Sequence, residues 1–339
     1  MRALLFSASM LGLTACATAP EILPFEVQSV PPAVETAPMI GVGDRADDPA
    51  IWVSDDPSQP SLILGTNKDE GLHVYTLDGT EIQFLDVGQI NNVDIRGRYA
   101  VASNDEVGAL TRFVISRSTT EPVLHIGNTP IETEEPYGAC LGLDADGLVA
   151  AVTYKTGLVE FWRADQSKDA DISAALTQTI QLPSQLEGCV FDETQEKIFI
   201  GEEAFGLWSY AYRDASAEPQ IVDSIAASNG LVADVEGVSI YWAQNGGYII
   251  ASAQEADRYV VYDRLPPHAP RGIFSISESA DGSIDAVSHT DGLDVVSAAL
   301  PGYPKGLLVV QDDGNPQSGV DQNFKLVDWA EVMEQLGLE

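Results

Sequence analysis

Positively charged residues are scarce in this chain of 339 residues. Lys and Arg together number 17 against 52 Asp and Glu, which gives a formal net charge of −35 at neutral pH. A protein with that charge repels the phosphate backbone of nucleic acids and the surface of anionic lipids. Nucleic acid is therefore excluded as a partner. Solubility or salt adaptation can explain much of the acidity, but not the places where the acidic residues cluster.

Histidine and cysteine are also scarce, with four and three residues. No Cys/His pairing has the spacing of a zinc or copper site, which excludes the common sites for these metals. The histidines are scattered along the chain: His73, His125, His268 and His289.

A hydrophobic run long enough for a membrane-spanning helix is missing. The chain begins with a short positive and apolar stretch and then a Leu-Thr-Ala-Cys sequence ending at Cys16, which resembles a bacterial lipobox. We therefore predict a lipoprotein signal peptide at residues 1–16, cleavage before Cys16 and lipidation of its thiol. Ala17 after the cysteine favours an exported lipoprotein of the outer membrane or periplasm. An ordinary signal peptide that contains a cysteine is the alternative.

Residues 17–38 are rich in Pro, Ala, Glu and Thr, a composition that buries little apolar surface. We predict a tether there, followed by a folded domain at residues 39–339. That domain contains six similar segments, each with an acidic or polar residue, an apolar strand, a turn, a second apolar strand and a third strand rich in aromatics. The segments begin near Asp48, Asn92, Tyr137, Glu187, Glu236 and Asp291.

The repeats predict an all-β fold, a six-bladed β-propeller of four-stranded antiparallel blades. Two stacked β-sandwiches are the alternative. The last repeat lacks an outer strand of its own, and residues 25–30 can supply it and close the ring. Residues 329–336 are predicted to form a short amphipathic helix.

Cys140 and Cys189 occupy matching places in neighbouring repeats. We expect equivalent positions in adjacent blades to lie farther apart than the Cα separation of about 7 Å that a disulfide tolerates. The sequence therefore predicts two buried free thiols. Neither has a nearby His, which disfavours a thiol nucleophile.

The acidic residues cluster at two places in each repeat, the start of the first strand and the end of the second. In antiparallel strands these places lie at the same edge of a sheet, so the acids should meet at one mouth of the channel. So many carboxylates at one mouth repel one another unless cations lie among them. Carboxylate, amide and carbonyl oxygens are the ligands that Ca²⁺ prefers. Two basic residues, Lys68 and Lys155, interrupt this acidic rim at matching positions and are candidates for binding phosphate.

Several motifs then resemble the β-propeller phytases: Asp47-Asp48-Pro-Ala-Ile-Trp, Thr-Asn-Lys68, Asn-Asn-Val-Asp94-Ile-Arg96, Glu187-Gly, Gly-Glu202-Glu203, Asp234-Val-Glu236-Gly and Thr-Asp291-Gly-Leu-Asp294. The resemblance extends from about residue 44 to residue 336. It implies a calcium-dependent phytase that hydrolyses phosphate monoesters of myo-inositol hexakisphosphate with a metal-activated water, binds several calcium ions and functions as a monomer.

The resemblance also implies roles for individual residues. The implied metal ligands are Asp47, Asp48, Asp94, Glu187, Glu202, Glu203, Asp234, Glu236, Gln254, Asp291, Asp294 and Asp312. The implied catalytic residues are Lys68, Tyr137, Lys155, Glu187 and Glu203. The implied substrate-binding residues are Lys68, Lys155, Tyr137 and Arg96, with the substrate free or as its calcium salt.

Two positions depart from the family pattern. Asp69 follows Lys68 where a second lysine is frequent, and Asp105 follows Asn104 where an arginine is common. Each replaces a phosphate-binding cation with an anion, which favours a weaker, displaced or metal-assisted phosphate site. A non-catalytic, calcium-stabilised binding module on the cell surface is the main alternative to an enzyme. A propeller lactonase or sugar dehydrogenase is disfavoured because only His289 is a candidate for a histidine near the channel.

Overall fold

A computed structural model describes residues 23–39, 43–164, 175–244, 246–315 and 322–339 of the chain. The predicted signal peptide, its Cys16 and the first part of the predicted tether lie outside the described residues. Within them the fold is almost entirely β, with one α-helix, α1 (Trp329–Leu336), at the predicted place. No described helix has both the length and the apolar character needed to cross a membrane.

The predicted six-bladed propeller is confirmed, with one antiparallel sheet for each predicted repeat. Two strands, β1 (Val27–Val30) and β2 (Val34–Glu35), precede the first blade. From the channel outward, the strands of the first three blades are β3 (Ala46–Trp52), β4 (Leu62–Asn67), β5 (Gly71–Thr76) and β6 (Glu81–Asp86); β7 (Ile90–Arg96), β8 (Tyr99–Asn104), β9 (Ala109–Ile115) and β10 (Val123–Pro130); and β11 (Gly138–Asp144), β12 (Gly147–Thr153), β13 (Leu158–Arg163) and β14 (Ala175–Gln181).

The last three blades follow the same order. Their strands are β15 (Leu186–Asp192), β16 (Lys197–Glu202), β17 (Gly206–Tyr210) and β18 (Gln220–Ser224); β19 (Val238–Ala243), β20 (Gly246–Ala253), β21 (Arg258–Asp263) and β22 (Pro270–Ile276); and β23 (Leu293–Val296), β24 (Leu307–Asp312) and β25 (Asn323–Asp328). The innermost strands contact one another in sequence around the channel, and β23 contacts β3 to complete the ring.

Apolar side chains between neighbouring blades form the core. The second strand of each blade is buried on both faces, as the short apolar runs predict, and β24 is buried along its whole length. In the seam between the fifth and sixth blades, Ile250 and Leu308 pack with Trp329 of helix α1. The propeller is therefore held by apolar contacts between blades as well as by the hydrogen bonds within each sheet.

The N-terminal segment completes the ring, but not with the predicted residues. Strand β1 lies parallel to β22 on the outside of the fifth blade, with Val27 opposite Ile273. Strand β2 instead pairs with β25 and supplies the outer strand of the sixth blade, with Val34 opposite Leu326. The prediction for residues 25–30 is wrong because Val30 is buried against the fifth blade. Val34, four positions later, packs against the sixth blade instead.

Cys140 and Cys189 form a disulfide, so the prediction of two free thiols is wrong. Their Cα atoms are 5.8 Å apart, within the range that a disulfide requires. The two residues lie on β11 and β15, which are innermost strands of adjacent blades. Innermost strands converge on the channel, so matching positions in adjacent blades are much closer there than on the outer strands.

Candidate active site and metal centre

Irregular pairing at the start of three innermost strands positions the polar residues at one mouth of the channel. The register shift in β3 includes Asp47 and Asp48, that in β7 includes Asn91 and Asn92, and that in β15 includes Glu187. A β-bulge interrupts the alternation of side chains and redirects them. These side chains therefore do not alternate between the two faces of the sheet at the point where the channel opens.

Glycine near the start of an innermost strand allows neighbouring blades to approach closely. A Cβ atom on Gly138 would collide with the backbone carbonyl of Glu187, and one on Gly188 would collide with the carbonyl of Glu236. The hydroxyl of Thr153 also donates a hydrogen bond of 2.6 Å to the Glu187 carbonyl. Backbone contact between blades thus sets the spacing of the acidic residues.

Five buried or nearly buried carboxylates result, which we name the rim cluster: Asp47, Glu187, Glu203, Glu236 and Asp291. Carboxylate oxygens of Glu187, Glu203 and Glu236 all lie within 4.8 Å of one another. The amide of Gln254 connects two members, since it donates a 2.8 Å hydrogen bond to Glu236 and another to Asp291. The structure therefore brings together side chains from the first, fourth, fifth and sixth blades.

The rim cluster is electrostatically unfavourable in the absence of a cation. Burial, together with the charges of its neighbours, raises the pKa of Glu236 to about 12 and holds the pKa of Glu187 well above its usual value. Burial also raises the pKa of Glu203 to about 7 and that of Asp47 to about 6. Both oxygens of Asp47 are buried, and one of them forms an ion pair of 3.3 Å with Lys68. In these carboxyl groups the ionised form is disfavoured until a cation binds beside them.

Lys68 is in direct contact with this cluster. Its ammonium group lies 3.0 Å from Asp291, 3.3 Å from Asp47 and 3.1 Å from Asp44. Burial lowers the pKa of Lys68, but these carboxylates outweigh burial and raise that pKa, so the side chain stays charged. It is a fixed positive charge at the mouth of the channel.

Tyr137 and Lys155 lie together on the third blade. The Lys155 ammonium group is 4.2 Å from the centre of the Tyr137 ring, a cation–π contact. Burial, followed by the charge of Glu187, raises the pKa of Tyr137, which keeps its hydroxyl protonated. The backbone carbonyl of Tyr137 accepts a 2.6 Å hydrogen bond from Ser103, so the second blade fixes its position.

Comparison with known proteins decides the family. A family model described as Phytase matches residues 2–339. The chain belongs to the phytase family. A 3-phytase of Bacillus subtilis (strain 168) is 35% identical to it over 329 residues, which are 89% of this chain and 84% of that protein. The protein is accordingly a phosphoric monoester hydrolase, and the resemblance found in its motifs is confirmed.

Three other predicted ligands of this phytase line the channel wall. We name Asp48, Asp94 and Asp294 the wall set. Each accepts a hydrogen bond from the backbone N–H of the next blade: Asp48 from Val93 at 3.1 Å, Asp94 from Leu141 at 2.8 Å and Asp294 from Ile51 at 2.8 Å. These donors are backbone groups, whereas Asp47 is contacted by the ammonium group of Lys68. They border a cavity of about 340 Å³.

Arg96 lies at the far end of β7, away from the phytase rim cluster. Its guanidinium group pairs with Asp94 at 2.9 Å and reaches across to Glu193 of the fourth blade at 2.9 Å. The structure therefore does not bring Arg96 together with Lys68, and its place is at the opposite end of the channel.

Two further predicted metal ligands are engaged within their own blades. Glu202 accepts hydrogen bonds from the Ser184 hydroxyl at 2.5 Å and from the Trp208 indole at 2.8 Å. Asp312 forms a buried ion pair of 2.5 Å with Lys325. Asp234 remains at the rim, half-buried, with its backbone carbonyl accepting a hydrogen bond from Gln254 N–H.

Three residues at the phytase rim were missed in the sequence. Asp44 contacts Lys68, and Gln185 donates a 2.8 Å hydrogen bond to Glu203. Arg45 pairs with Asp69 at 3.2 Å. Arg45 could have been found from the sequence, because basic residues are scarce and this one lies two positions before Asp47. No comparable signal marked Gln185.

The two departures from the family pattern have different surroundings. Asp69 is half-exposed and paired with Arg45, so its charge is locally balanced. Asp105 accepts a 2.9 Å hydrogen bond from Asn91, while its other oxygen is buried without a hydrogen-bond partner. Burial raises the pKa of Asp105. Asp105 therefore places a buried carboxyl group near Lys155, whose charge only partly offsets the effect of burial on the pKa of Asp105.

Calcium fits the residues of the rim cluster. Its oxygen donors come from carboxylates and an amide, without nitrogen or sulfur, which matches the preference of Ca²⁺. The close approach of Glu187, Glu203 and Glu236, with the buried oxygens of Asp47 beside Lys68, provides a site where a divalent charge would relieve repulsion.

Proposed function

We propose that this enzyme hydrolyses phosphate monoesters of myo-inositol hexakisphosphate in a calcium-dependent reaction at the rim cluster. The observation that carries the proposal is the convergence of Glu187, Glu203 and Glu236 within 4.8 Å, with Lys68 beside them. Anionic substrates are repelled by a protein of charge −35 unless cations reverse the local field. The substrate enters free or as its calcium salt.

Glu187, Glu203, Glu236, Asp47 and Asp291 are the proposed calcium ligands. Asp234 and Gln254 complete the ligand set or order the water around it. When bound, calcium would neutralise the carboxylates, attract phosphate and make a water molecule a better nucleophile.

The chain's own cations bind and orient the phosphate. Lys68 is held in place by Asp44, Asp47 and Asp291 and offers a point charge to the equatorial oxygens, where negative charge develops during phosphoryl transfer. Lys155, placed by its contact with Tyr137, holds a neighbouring phosphate. The Tyr137 hydroxyl, protonated because burial raises its pKa, can donate a hydrogen bond to the ester.

The remaining predicted ligands have structural roles in this proposal. Asp48, Asp94 and Asp294 tie neighbouring blades through backbone N–H groups. Glu202 and Asp312 satisfy buried donors within the fourth and sixth blades.

Export and lipidation at Cys16 belong to the same proposal, with the protein a monomer in the outer membrane or periplasm. The Leu-Thr-Ala-Cys sequence supports it, as does the disulfide, because disulfides persist in oxidising compartments outside the cytosol. Mass spectrometry of membrane-extracted protein should find a lipid on Cys16 and none in a Cys16→Ser variant. Unmodified Cys16 would contradict lipidation, and light scattering tests the monomer.

Phosphate release from phytate by chelator-stripped protein tests the function. We expect negligible release in chelator and recovery on addition of Ca²⁺, with Lys68→Ala and Glu203→Gln impaired. Unchanged release in excess chelator would overturn the calcium dependence. Absence of turnover in every condition would favour the binding-module alternative.

A further inference from the structure

The seam between the third and fourth blades contains a covalent bond. Cys140 on β11 and Cys189 on β15 form the disulfide, and among the described residues these are the only cysteines. Other seams among the described residues are held by apolar packing, hydrogen bonds and ion pairs such as Arg264–Asp192. This seam is therefore constrained in a way that the others are not.

The disulfide lies directly behind residues of the active site. Cys140 follows Tyr137 by three positions on the third blade, and Cys189 follows Glu187 by two on the fourth. Cys189 also borders the channel cavity. Between the disulfide and the rim, the hydroxyl of Thr153 bonds the Glu187 carbonyl at 2.6 Å. The crosslink thus fixes the backbone that places Glu187 relative to Tyr137 and Lys155.

This seam is where constraint is needed when the site holds no cation. Glu187 and Glu203 of the fourth blade and Glu236 of the fifth have carboxylate oxygens within 4.8 Å of one another. Carboxylates at this distance repel when they are ionised, and the repulsion is relieved either by protons bound to them or by an outward shift of the strand that carries Glu187. A disulfide to the third blade opposes that shift.

We propose that the Cys140–Cys189 disulfide is a positioning crosslink, which keeps the rim cluster assembled before calcium binds. A preformed site binds its ligand more tightly than one that must be reassembled, because no binding free energy is lost in ordering the ligating residues. The inference rests on the proposed calcium function. It predicts that the disulfide affects calcium affinity and leaves the turnover of the calcium-saturated enzyme unchanged.

The test compares three forms of the chelator-stripped full chain. These are the oxidised protein, the protein reduced with a water-soluble phosphine, and the double variant Cys140→Ser/Cys189→Ser. During reduction the disulfide gains two electrons and two protons to give two thiols, while the phosphine takes oxygen from water and becomes its oxide. Thiol titration should count two additional thiols after reduction. Calcium binding is measured by isothermal titration calorimetry, and kcat for phytate at saturating calcium.

We expect the dissociation constant for calcium to rise about tenfold in the reduced protein and in the double variant, as for loss of preorganisation. The kcat at saturating calcium should be unchanged. Val332→Ala, in helix α1 and buried against the fifth and sixth blades, is the control for a general loss of stability. It should lower Tm without changing calcium affinity.

Several results would overturn the proposal. Free thiols at Cys140 and Cys189 in unreduced protein unfolded in denaturant, found by alkylation and mass spectrometry, would show that the crosslink is absent. A lower Tm with unchanged calcium affinity would show that the disulfide only stabilises the fold, and an equal affinity loss in Val332→Ala would show a global effect. An oxidised protein that binds no calcium would overturn the proposed calcium function as well, which distinguishes that failure from a failure of the crosslink alone.

Discussion

Two sets of buried acids share one channel, and their different partners separate their functions. The wall set accepts hydrogen bonds from backbone N–H groups of the next blade. The rim cluster is instead contacted by the side chains of Lys68, Gln185 and Gln254, and its three glutamates crowd one another. Residue type alone does not distinguish them. A carboxylate that accepts from the backbone of the next blade holds the blades together, whereas carboxylates that crowd one another at the channel mouth are suited to binding a cation.

Glu187→Gln should give the largest effect, and it tests whether the rim cluster binds calcium. Loss of the carboxylate removes a proposed calcium ligand, and kcat/KM for phytate should fall about 100-fold. Repulsion in the metal-free protein is relieved at the same time, so Tm in chelator should rise.

Glu202→Gln is the matched control, because Glu202 bonds Ser184 and Trp208 instead of facing the other rim carboxylates. We expect a lower Tm with a much smaller change in kcat/KM. Similar activity losses in both variants would erase the distinction between the two glutamates.

Lys68→Ala should rank second. The variant loses a charge-assisted contact to phosphate, and kcat/KM should fall about 10- to 100-fold, corresponding to about 1.5–3 kcal/mol. Steady-state kinetics on phytate measure the effect. Lys197→Ala provides the control, since Lys197 begins β16 at the end of the blade away from the rim. If both lysine variants keep full activity, Lys68 does not contact the substrate.

The pH dependence of stability tests whether the rim carboxyl groups bind protons in the metal-free protein. Burial raises the folded-state pKa of Asp47 to about 6 and that of Glu203 to about 7, above their usual values of 3.8 and 4.5. Between each pair of values the folded protein binds more protons than the unfolded chain, so stability falls as pH rises. In chelator, Tm should therefore decrease from about pH 4 to pH 7.

Saturating calcium should reduce that decrease, because the ion replaces the protons on the rim cluster. Part of the decrease should remain, since burial also raises the pKa of Asp94 in the wall set to about 6. Thermal denaturation followed by circular dichroism, with and without calcium, makes the measurement. A metal-free Tm that rises steadily across this range would mean that the rim carboxylates are not under strain.

Asp294→Ala should give the smallest effect on catalysis and tests the wall set. The backbone N–H of Ile51 and the hydroxyl of Ser239 lose their acceptor, which should cost about 1–3 kcal/mol of stability. Chemical denaturation measures this loss. The kcat at saturating calcium should stay unchanged, whereas Asp47→Asn should reduce it. A loss of calcium binding in Asp294→Ala equal to that in Asp47→Asn would place the wall set among the ligands.

The sequence predicted the propeller because each repeat carries its own hydrophobic pattern, and the second strands are apolar enough to be buried on both faces. It predicted the mouth of the channel because acids recur at matching places in the repeats. It could not assign Asp47 and Asp48 to different sets, since adjacent positions in a bulged strand do not follow simple alternation.

Two errors arose from three-dimensional spacing that a linear pattern does not record. The disulfide was missed because the convergence of β11 and β15 on the channel is a property of the closed ring. The closing strand was misplaced because both Val30 and Val34 are hydrophobic, and the choice between them depends on which blade edge each one reaches.

Anomalous diffraction from calcium-soaked crystals tests the central claim most directly. We predict calcium peaks at the rim cluster, about 2.3–2.6 Å from oxygens of Glu187, Glu203 and Glu236. Peaks confined to the channel wall, with the three glutamates unliganded at saturating calcium, would contradict the account.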